Sequence, residues 1–408
     1  MKFLFIHQNF PAQYQHLILH LLERGGHDIV FISEANENAI PGVRRVLYRH
    51  EPGAPEGVHP AAIDLDRAMR RAEQVAAAAE NLRKLGFVPD IVIGHHGWGE
   101  LLNIPDVFPG VPVLGYYEFY YWSQGQDVSF DPEFPSDASQ RPRIRAMNTI
   151  NHLAYALGQA GQTPTQWQLG LYPDWMRPGI ELLTEGARLD LCRPDPAARQ
   201  QPLPLGELTV EPGDKLITYV ARNLEPYRGV HTMIRALPAL MRARPDVKVV
   251  MVGGDNVSYG ARCPNGTWRQ HFLKEIAGKY DPARLLMPGQ VSYGTYLRLL
   301  QRSDAHVYLT YPFVASWSLR EALASGCAVI GADVESVREF VTHGRNGLIT
   351  PCLDPGALAD TVLEVLENRK LSDKLRTGAR RYAEKHLDMK LHLAAYAKRI
   401  QQLTGQKI

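Results

Sequence analysis

The sequence predicts an α/β protein made of two Rossmann-like domains with parallel sheets, and three observations carry that expectation. Apolar strand-like runs alternate with amphipathic helical stretches, the pattern of a parallel sheet covered by helices on both faces. The alternation breaks between Arg193 and Asp214, where five prolines stand among few bulky apolar residues, and then restarts. A chain of 408 residues also exceeds what one ordinary core fills.

In the first half, Phe3–Ile6 reads as a buried strand and a helix follows around Tyr14–Glu23. Gly25-Gly26 closes that helix, and Asp28–Ile32 is the next strand. An Ala-rich helix over about Asp64–Leu85 precedes strands at Ile91–Ile93 and Val111–Leu114. Leu216–Val220 restarts the pattern. The helix after Gly229 carries Met233, Ile234, Leu237, Leu240 and Met241 on one stripe. Further strands are expected at Val247–Val252, Leu285–Leu286, Val307–Leu309, Ala328–Ile330 and Leu348-Ile349, the last after an Asn346-Gly347 turn. Residues from about Asp354 to Leu403 read as helical. Ligands of such folds bind outside the carboxyl ends of the strands, here in a cleft that the two domains are expected to face.

Composition narrows the function. A hydrophobic content of 45% with 22% charged residues is that of a soluble globular protein. The formal net charge of +2 leaves no whole-protein field to attract nucleic acid. Four scattered cysteines form no CxxC pair and read as thiols of a reducing compartment. The N-terminal run Met1–His7 is too short for a signal peptide, and no stretch reaches a membrane span, so a cytoplasmic location is expected. The loop His7–Tyr14 lacks GxGxxG, which disfavours a dehydrogenase.

The segment Tyr311–Gly326 is the most informative. It leaves a strand, starts a helix among small polar residues and ends at a glycine, a unit whose free N–H groups can receive an anion. Glu321 lies one turn inside that helix, suited to a ribose beside a diphosphate. Ser318 and Glu321 equally fit a capping box that only satisfies the helix end. Arg222 follows the first strand of the second domain and Arg228 comes six residues later, so two guanidiniums could fork onto phosphate oxygens. Ion pairing of these arginines with Glu225 is the plainer alternative. Gly253-Gly254 and Gly289-Gln-Val291 stand at further strand ends, where backbone could approach a ligand or simply turn.

These residues and their order resemble the nucleotide-binding domain of retaining glycosyltransferases of family 4, with the two-domain architecture called GT-B. The resemblance rests on Arg222 to Arg228-Gly229, Gly253-Gly254, Gly289-Gln-Val291 and Phe313 through Gly326. In the first half, His7–Pro11, His96–Glu100 and Leu114–Tyr121 resemble a bacterial branch of that family. The resemblance implies an N-terminal acceptor-side domain over 1–195, a nucleotide-sugar domain over 196–385, and a C-terminal helix, 386–408, returning to the first domain. It implies transfer of a sugar from a UDP- or GDP-sugar to a glycan, lipid-linked or small-molecule hydroxyl. Configuration would be retained, with no metal and no cofactor beyond the donor. A sugar-nucleotide epimerase of the same fold, or a non-catalytic nucleotide-sugar-binding protein, are the alternatives.

By position, Arg222 and Arg228 would bind the donor diphosphate, and Glu321 would accept from the ribose hydroxyls. Backbone of Ser316, Trp317, Ser318 and Leu319 would contact phosphate or sugar, and Gly253, Gly254, Gln290 and Val291 would line the donor. The first glutamate of the family's Glu-x7-Glu pattern is replaced by Phe313. Glu118 falls near a position that contacts the donor sugar, where a carboxylate could hold hydroxyls or stabilise charge at the anomeric carbon. Asn9, Gln13, His96 and Tyr117 are expected on the acceptor or sugar side. Asp64-Leu-Asp66 opens a helix and reads as dipole compensation rather than as a metal site. His95, His96 and Glu100 could suggest a metal, but the sequence places no further ligand beside them, so no metal is expected. Arg67, Arg70, Arg71, Arg83, Lys84, Arg141, Arg143 and Arg145 read as a solvated face, with peripheral docking on anionic lipid as the alternative.

Overall fold

The structure, a computed structural model, describes residues 1–50 and 57–408. The chain forms two compact units. The first holds Met1–Ser129, Phe134–Glu185 and Lys390–Ile408, and the second holds Phe130–Glu133 and Gly186–Met389.

The sheet of the first unit has seven strands: β1 (Lys2–Ile6), β2 (Asp28–Ser33), β3 (Val43–Leu47), β4 (Ile91–His95), β5 (Val113–Tyr116), β6 (Ala160–Thr163) and β7 (Ile180–Leu182). They lie in the order β3-β2-β1-β4-β5-β6-β7, and every pair is parallel. Alternation along the strands builds two cores. Phe3, Phe5, Ile29, Phe31, Ile91 and Ile93 meet Leu17, Ile18 and Leu21 of the helix Gln15–Arg24, with Tyr396 and Ile400 of the helix Met389–Thr404. On the opposite face, Leu4, Ile6, Val30, Ile32 and Val92 meet Val75, Ala78, Ala79 and Leu82 of the helix Ile63–Lys84. The alanines of that helix let it lie close to the sheet.

The second unit opens with an antiparallel hairpin, β8 (Leu203–Leu205) and β9 (Leu208–Val210). The proline-rich break between Arg193 and Asp214 reads in the sequence as a linker or boundary. Instead its Leu203, Leu208 and Val210 are buried beside Leu216, Val250, Val252 and Leu299. A parallel sheet follows, formed by β10 (Lys215–Asn223), β11 (Val247–Gly254), β12 (Leu285–Gly289), β13 (Ala305–Tyr308), β14 (Val329–Ala332) and β15 (Leu348–Thr350). Its order is β12-β11-β10-β13-β14-β15. The expected apolar stripe from Met233 to Met241 is fully inside, on the helix Val230–Ala243. The closing helical segment divides into three helices, Pro355–Glu367, Arg369–His386 and Met389–Thr404.

In each sheet the direction of winding reverses once, at β1/β4 and at β10/β13. Such switch points open a crevice at the carboxyl ends of the strands. His7 and Asn9 follow β1, His95 ends β4, Arg222 and Asn223 end β10, and Leu309–Phe313 follow β13. Strand β10 shifts register against β11 between Val220 and Asn223, an irregularity of the kind that re-aims side chains at a strand end.

Gly229 links the turn Pro226–Arg228 to the helix Val230–Ala243 with φ of +68°, and a Cβ there would stand 2.5 Å from Leu309 Cβ. We expect Gly229→Ala to lower stability by more than about 2 kcal/mol in urea unfolding, from the positive φ and the steric overlap together.

Candidate active site

Two arginines follow one another at the carboxyl end of β10, and neither forms an ion pair among the described residues. Arg222 is exposed at the end of β10 and forms no ion pair among the described residues. Arg228 is buried, yet its polar partners are neutral. Nη1 donates to Thr310 Oγ1 at 3.0 Å and to the Val314 carbonyl at 3.1 Å. Its guanidinium lies 5.0 Å from the ring centre of Tyr259 and 6.0 Å from that of Phe313. A buried cation is normally paired, because its desolvation is costly. Here no carboxylate is within ion-pair distance among the described residues.

Glu225 does not fill that role. Its carboxylate is fully buried and accepts from the backbone N–H groups of Ser258, Tyr259 and Gly260 at 3.1–3.2 Å. The expected surface pairing of Glu225 with the arginines is therefore replaced by a loop anchor. The anchored loop brings Tyr259 over Arg228, and Tyr227, Tyr259 and Phe313 form an aromatic wall around it. Phe313 is a buried member of that wall.

The helix expected from the Tyr311–Gly326 segment runs over Trp317–Ala324. Ser316 is its N-cap residue, but no side chain caps it; the Ser316 hydroxyl meets the Ser318 hydroxyl at 2.6 Å, and the Ser316 N–H donates to the Tyr308 hydroxyl. The Ser318–Glu321 capping box is absent. Instead, Glu321 Oε1 accepts from the Tyr293 hydroxyl at 2.8 Å and Oε2 accepts from the Tyr296 hydroxyl at 2.9 Å. Burial raises the pKa of this carboxyl, while both phenols work against the rise. Leu319 is fully buried, so only its backbone is open to a role in binding.

The two glycines at the end of β11 answer first to packing. A Cβ on Gly253 would stand 2.8 Å from Leu224 Cδ2, and one on Gly254 would stand 2.7 Å from Asn223 Oδ1. They let the end of β10 fold across β11. Gln290 is exposed after β12, next to Gly254, and Val291 packs at the edge of the core below.

In the first unit, the switch point brings together His7, His95 and Glu118. The rings of His7 and His95 are 5.6 Å apart. The Gly97 N–H donates to His95 Nδ1 at 3.1 Å, which leaves Nε2 as the protonated nitrogen facing Glu118 Oε2 at 3.3 Å. Glu118 is part-exposed in a shallow pocket lined by His95, Trp98, Tyr121 and Met147. Asn9 is exposed, with its N–H on His7 Nδ1, and Gln13 is half-buried beside Tyr14.

Two expected residues of this side lie in the core. His96 meets the Tyr116 carbonyl and Asn151 Oδ1 through its two nitrogens, and burial lowers its pKa to about 4. Tyr117 is fully buried, 3.8 Å from the His96 ring. His95 has the contact expected of His96. The two stand side by side where β4 ends and the tight turn His96–Trp98 begins, with their rings stacked 6.2 Å apart, so residue type and strand period do not tell them apart.

The other sequence signals resolve into ion pairs. Asp64 holds Arg143 at 2.6 Å and Asp66 holds Arg70 at 2.8 Å. Arg67, Arg71 and Arg83 also face carboxylates, leaving Lys84, Arg141 and Arg145 of the basic set outside ion pairs among the described residues. Asp131, Glu133 and His231 bring three ligand-type atoms together in the second unit. Both carboxylates are already engaged: Asp131 Oδ2 receives the Tyr311 hydroxyl at 2.6 Å and lies 3.0 Å from His231 Nε2, while Arg235 forks onto both oxygens of Glu133. This is a clasp with its own cation.

Residues 25–192 match a family described as the glycosyl transferase family 4 group, and residues 207–382 match glycosyl transferases group 1. Both halves of the chain match glycosyltransferase families. The phosphatidyl-myo-inositol mannosyltransferase of Mycolicibacterium smegmatis is 29% identical over 40% of this chain and 38% of its own length. The D-inositol 3-phosphate glycosyltransferase of Streptomyces avermitilis is 28% identical over 50% of this chain and 43% of its own. These matches thus span about two fifths of each curated relative. Among solved structures, a sucrose-phosphate synthase from Thermosynechococcus elongatus superposes with a TM-score of 0.72 at 18% identity, covering 99% of both chains. The Anabaena protein HepE, solved with UDP and glucose, gives 0.68 at 17% identity over 98% of this chain and 99% of its own. The fold is GT-B, with parallel sheets in both units. No helix among the described residues is long and apolar enough to cross a membrane.

Among the described residues, Glu100 is the one buried carboxyl of the first unit poised to titrate near neutrality. It receives the Tyr48 hydroxyl on Oε1 at 2.5 Å, while Oε2 has no hydrogen-bond partner among the described residues. Burial raises its pKa to about 7. The folded state therefore holds this proton more tightly than the unfolded chain. The associated stability is fully present below the ordinary carboxyl pKa of 4.5 and is lost as pH rises through 7. We expect Glu100→Gln to match the parent at pH 5 and to exceed it at pH 8, by on the order of 1–3 kcal/mol in urea unfolding.

Proposed function

We propose that the protein is a retaining glycosyltransferase that moves a sugar from a UDP- or GDP-sugar to the hydroxyl of a glycan, a lipid-linked or a small-molecule acceptor. The observation that carries this reading is Arg228, a buried cation with neutral partners, beside the exposed Arg222 and a helix start that no side chain caps. Each of the three suits an anion with several oxygens, and the matched family models and UDP-bound fold neighbours make a nucleoside diphosphate the anion to expect.

In this reading Arg222, Arg228 and the N–H groups of the helix start lie where leaving-group charge develops. The bond from the anomeric carbon to the diphosphate oxygen breaks while the acceptor oxygen bonds to the same face of the sugar. The acceptor proton passes to the departing phosphate oxygen. The positive potential comes from fixed guanidiniums and helix N–H groups, so the reading needs no metal. Glu118, oriented by His95, is proposed to stabilise positive charge on the sugar ring. Glu321 is proposed to read the ribose, with Gln290 and the strand-end backbone beside it.

Radiolabelled UDP- and GDP-sugars incubated with glycan and lipid-linked acceptors test the reaction. A labelled product with retained configuration supports it; isomerised donor, or binding without turnover, would replace it with an epimerase or a binding protein. Arg228→Met gives a sharper check. It keeps the buried volume and removes the unpaired charge, so we expect an equal or higher melting midpoint. Diphosphate affinity should fall by about tenfold or more, read by calorimetry.

A further inference from the structure

We propose that Tyr293 occupies the place of a ribose hydroxyl on Glu321 when no nucleotide is bound, and that Tyr296 is the residue that aims the carboxylate. The inference rests on the donor-site reading above. Tyr293 and Tyr296 stand three apart on the helix Tyr293–Arg302 and so share one face of it. Their hydroxyls divide the carboxylate between them, Tyr293 on Oε1 and Tyr296 on Oε2.

The two phenols differ in their freedom. Tyr296 is 8% exposed and belongs to the core, whereas Tyr293 is 48% exposed on the first turn of its helix. Cys192 Sγ lies 3.4 Å from the Tyr293 hydroxyl and also donates to Glu321 Oε1 at 3.9 Å, a long, weak thiol contact beside the 2.8 Å bond from the phenol. A largely buried carboxylate left with only a weak thiol donor on Oε1 would be costly, so an empty site needs a stronger donor there. Tyr293 supplies it, and its ring can swing outward with little loss of packing. A ribose diol brings O–H donors that replace the phenol. A nucleotide lacking those hydroxyls would have to leave the phenol in place or the carboxylate unsatisfied. The pair thereby selects ribonucleotides.

Calorimetric titration of the full chain with UDP, GDP and their 2′,3′-dideoxy counterparts tests this in the parent, Tyr293→Phe and Tyr296→Phe. Tyr293→Phe should lower the melting midpoint of the free protein and bind the ribonucleotide roughly three- to tenfold more tightly, because no internal hydroxyl competes. Dideoxynucleotide affinity should not change. Tyr296→Phe should weaken ribonucleotide binding, because Glu321 loses its orientation. Equal or weaker ribonucleotide binding by Tyr293→Phe would overturn the proposal, as would an equal gain with the dideoxy forms. Failure of all three proteins to bind either ribonucleotide would remove the donor-site reading itself, and this proposal with it.

Discussion

A parallel strand can reach its neighbour only through a crossover, and that requirement decides where this chain is able to present chemistry. Each crossover helix covers a face of the sheet, so both faces are sealed and only the strand ends remain for polar groups. All carboxyl ends of one sheet then lie on one edge. Where the winding reverses, at β1/β4 and β10/β13, no crossover helix fills the space between neighbouring strands. The charged residues that matter follow from this placement. Arg222 ends β10, the loop carrying Arg228 comes next, and Phe313 and the helix start come from the chain leaving β13.

What the sequence made legible was the part fixed by local periodicity. Strands buried on both faces, such as Phe3–Ile6 and Val247–Val252, read as continuous apolar runs, and the stripe from Met233 to Met241 reads as a helix. Strands at or near the sheet edge escaped notice. Val43–Leu47 carries two arginines, while Ala160–Thr163 and Ile180–Leu182 are short and mixed, so neither shows an apolar run. The hairpin at Leu203–Val210 hid behind prolines, which an antiparallel pair outside the main sheets tolerates.

The site was legible as residue types but not as partners. Which oxygen meets which donor depends on elements distant in sequence. Glu321 looked like half of a capping box because Ser318 stands three residues before it. The donors that satisfy it come instead from Tyr293 and Tyr296, on another helix. Glu225 looked like a surface carboxylate beside arginines and proved to be the anchor of the Ser258–Gly260 backbone. His95 and His96 are indistinguishable by type; both are buried, but one meets structural acceptors and the other faces Glu118.

Phe313 then has a physical explanation. A carboxylate in its place would stand close to the Arg228 guanidinium, which lies 6.0 Å from the Phe313 ring centre, and would neutralise it in the empty protein. Aromatic rings cannot do so. Cation–π contact with Tyr259 and Phe313 contributes on the order of 0.5–2 kcal/mol, far less than an ion pair in a buried setting would return. The guanidinium is thus held in position by Thr310, Val314 and the rings, while its charge stays available to an incoming anion. Glu225 completes the arrangement from beneath, since tying down the loop at Tyr259 keeps the wall in place without placing a negative charge in ion-pair contact with Arg228. A carboxylate spent on backbone N–H groups and a phenylalanine in the aromatic wall together keep a buried cation ordered with no carboxylate in ion-pair contact.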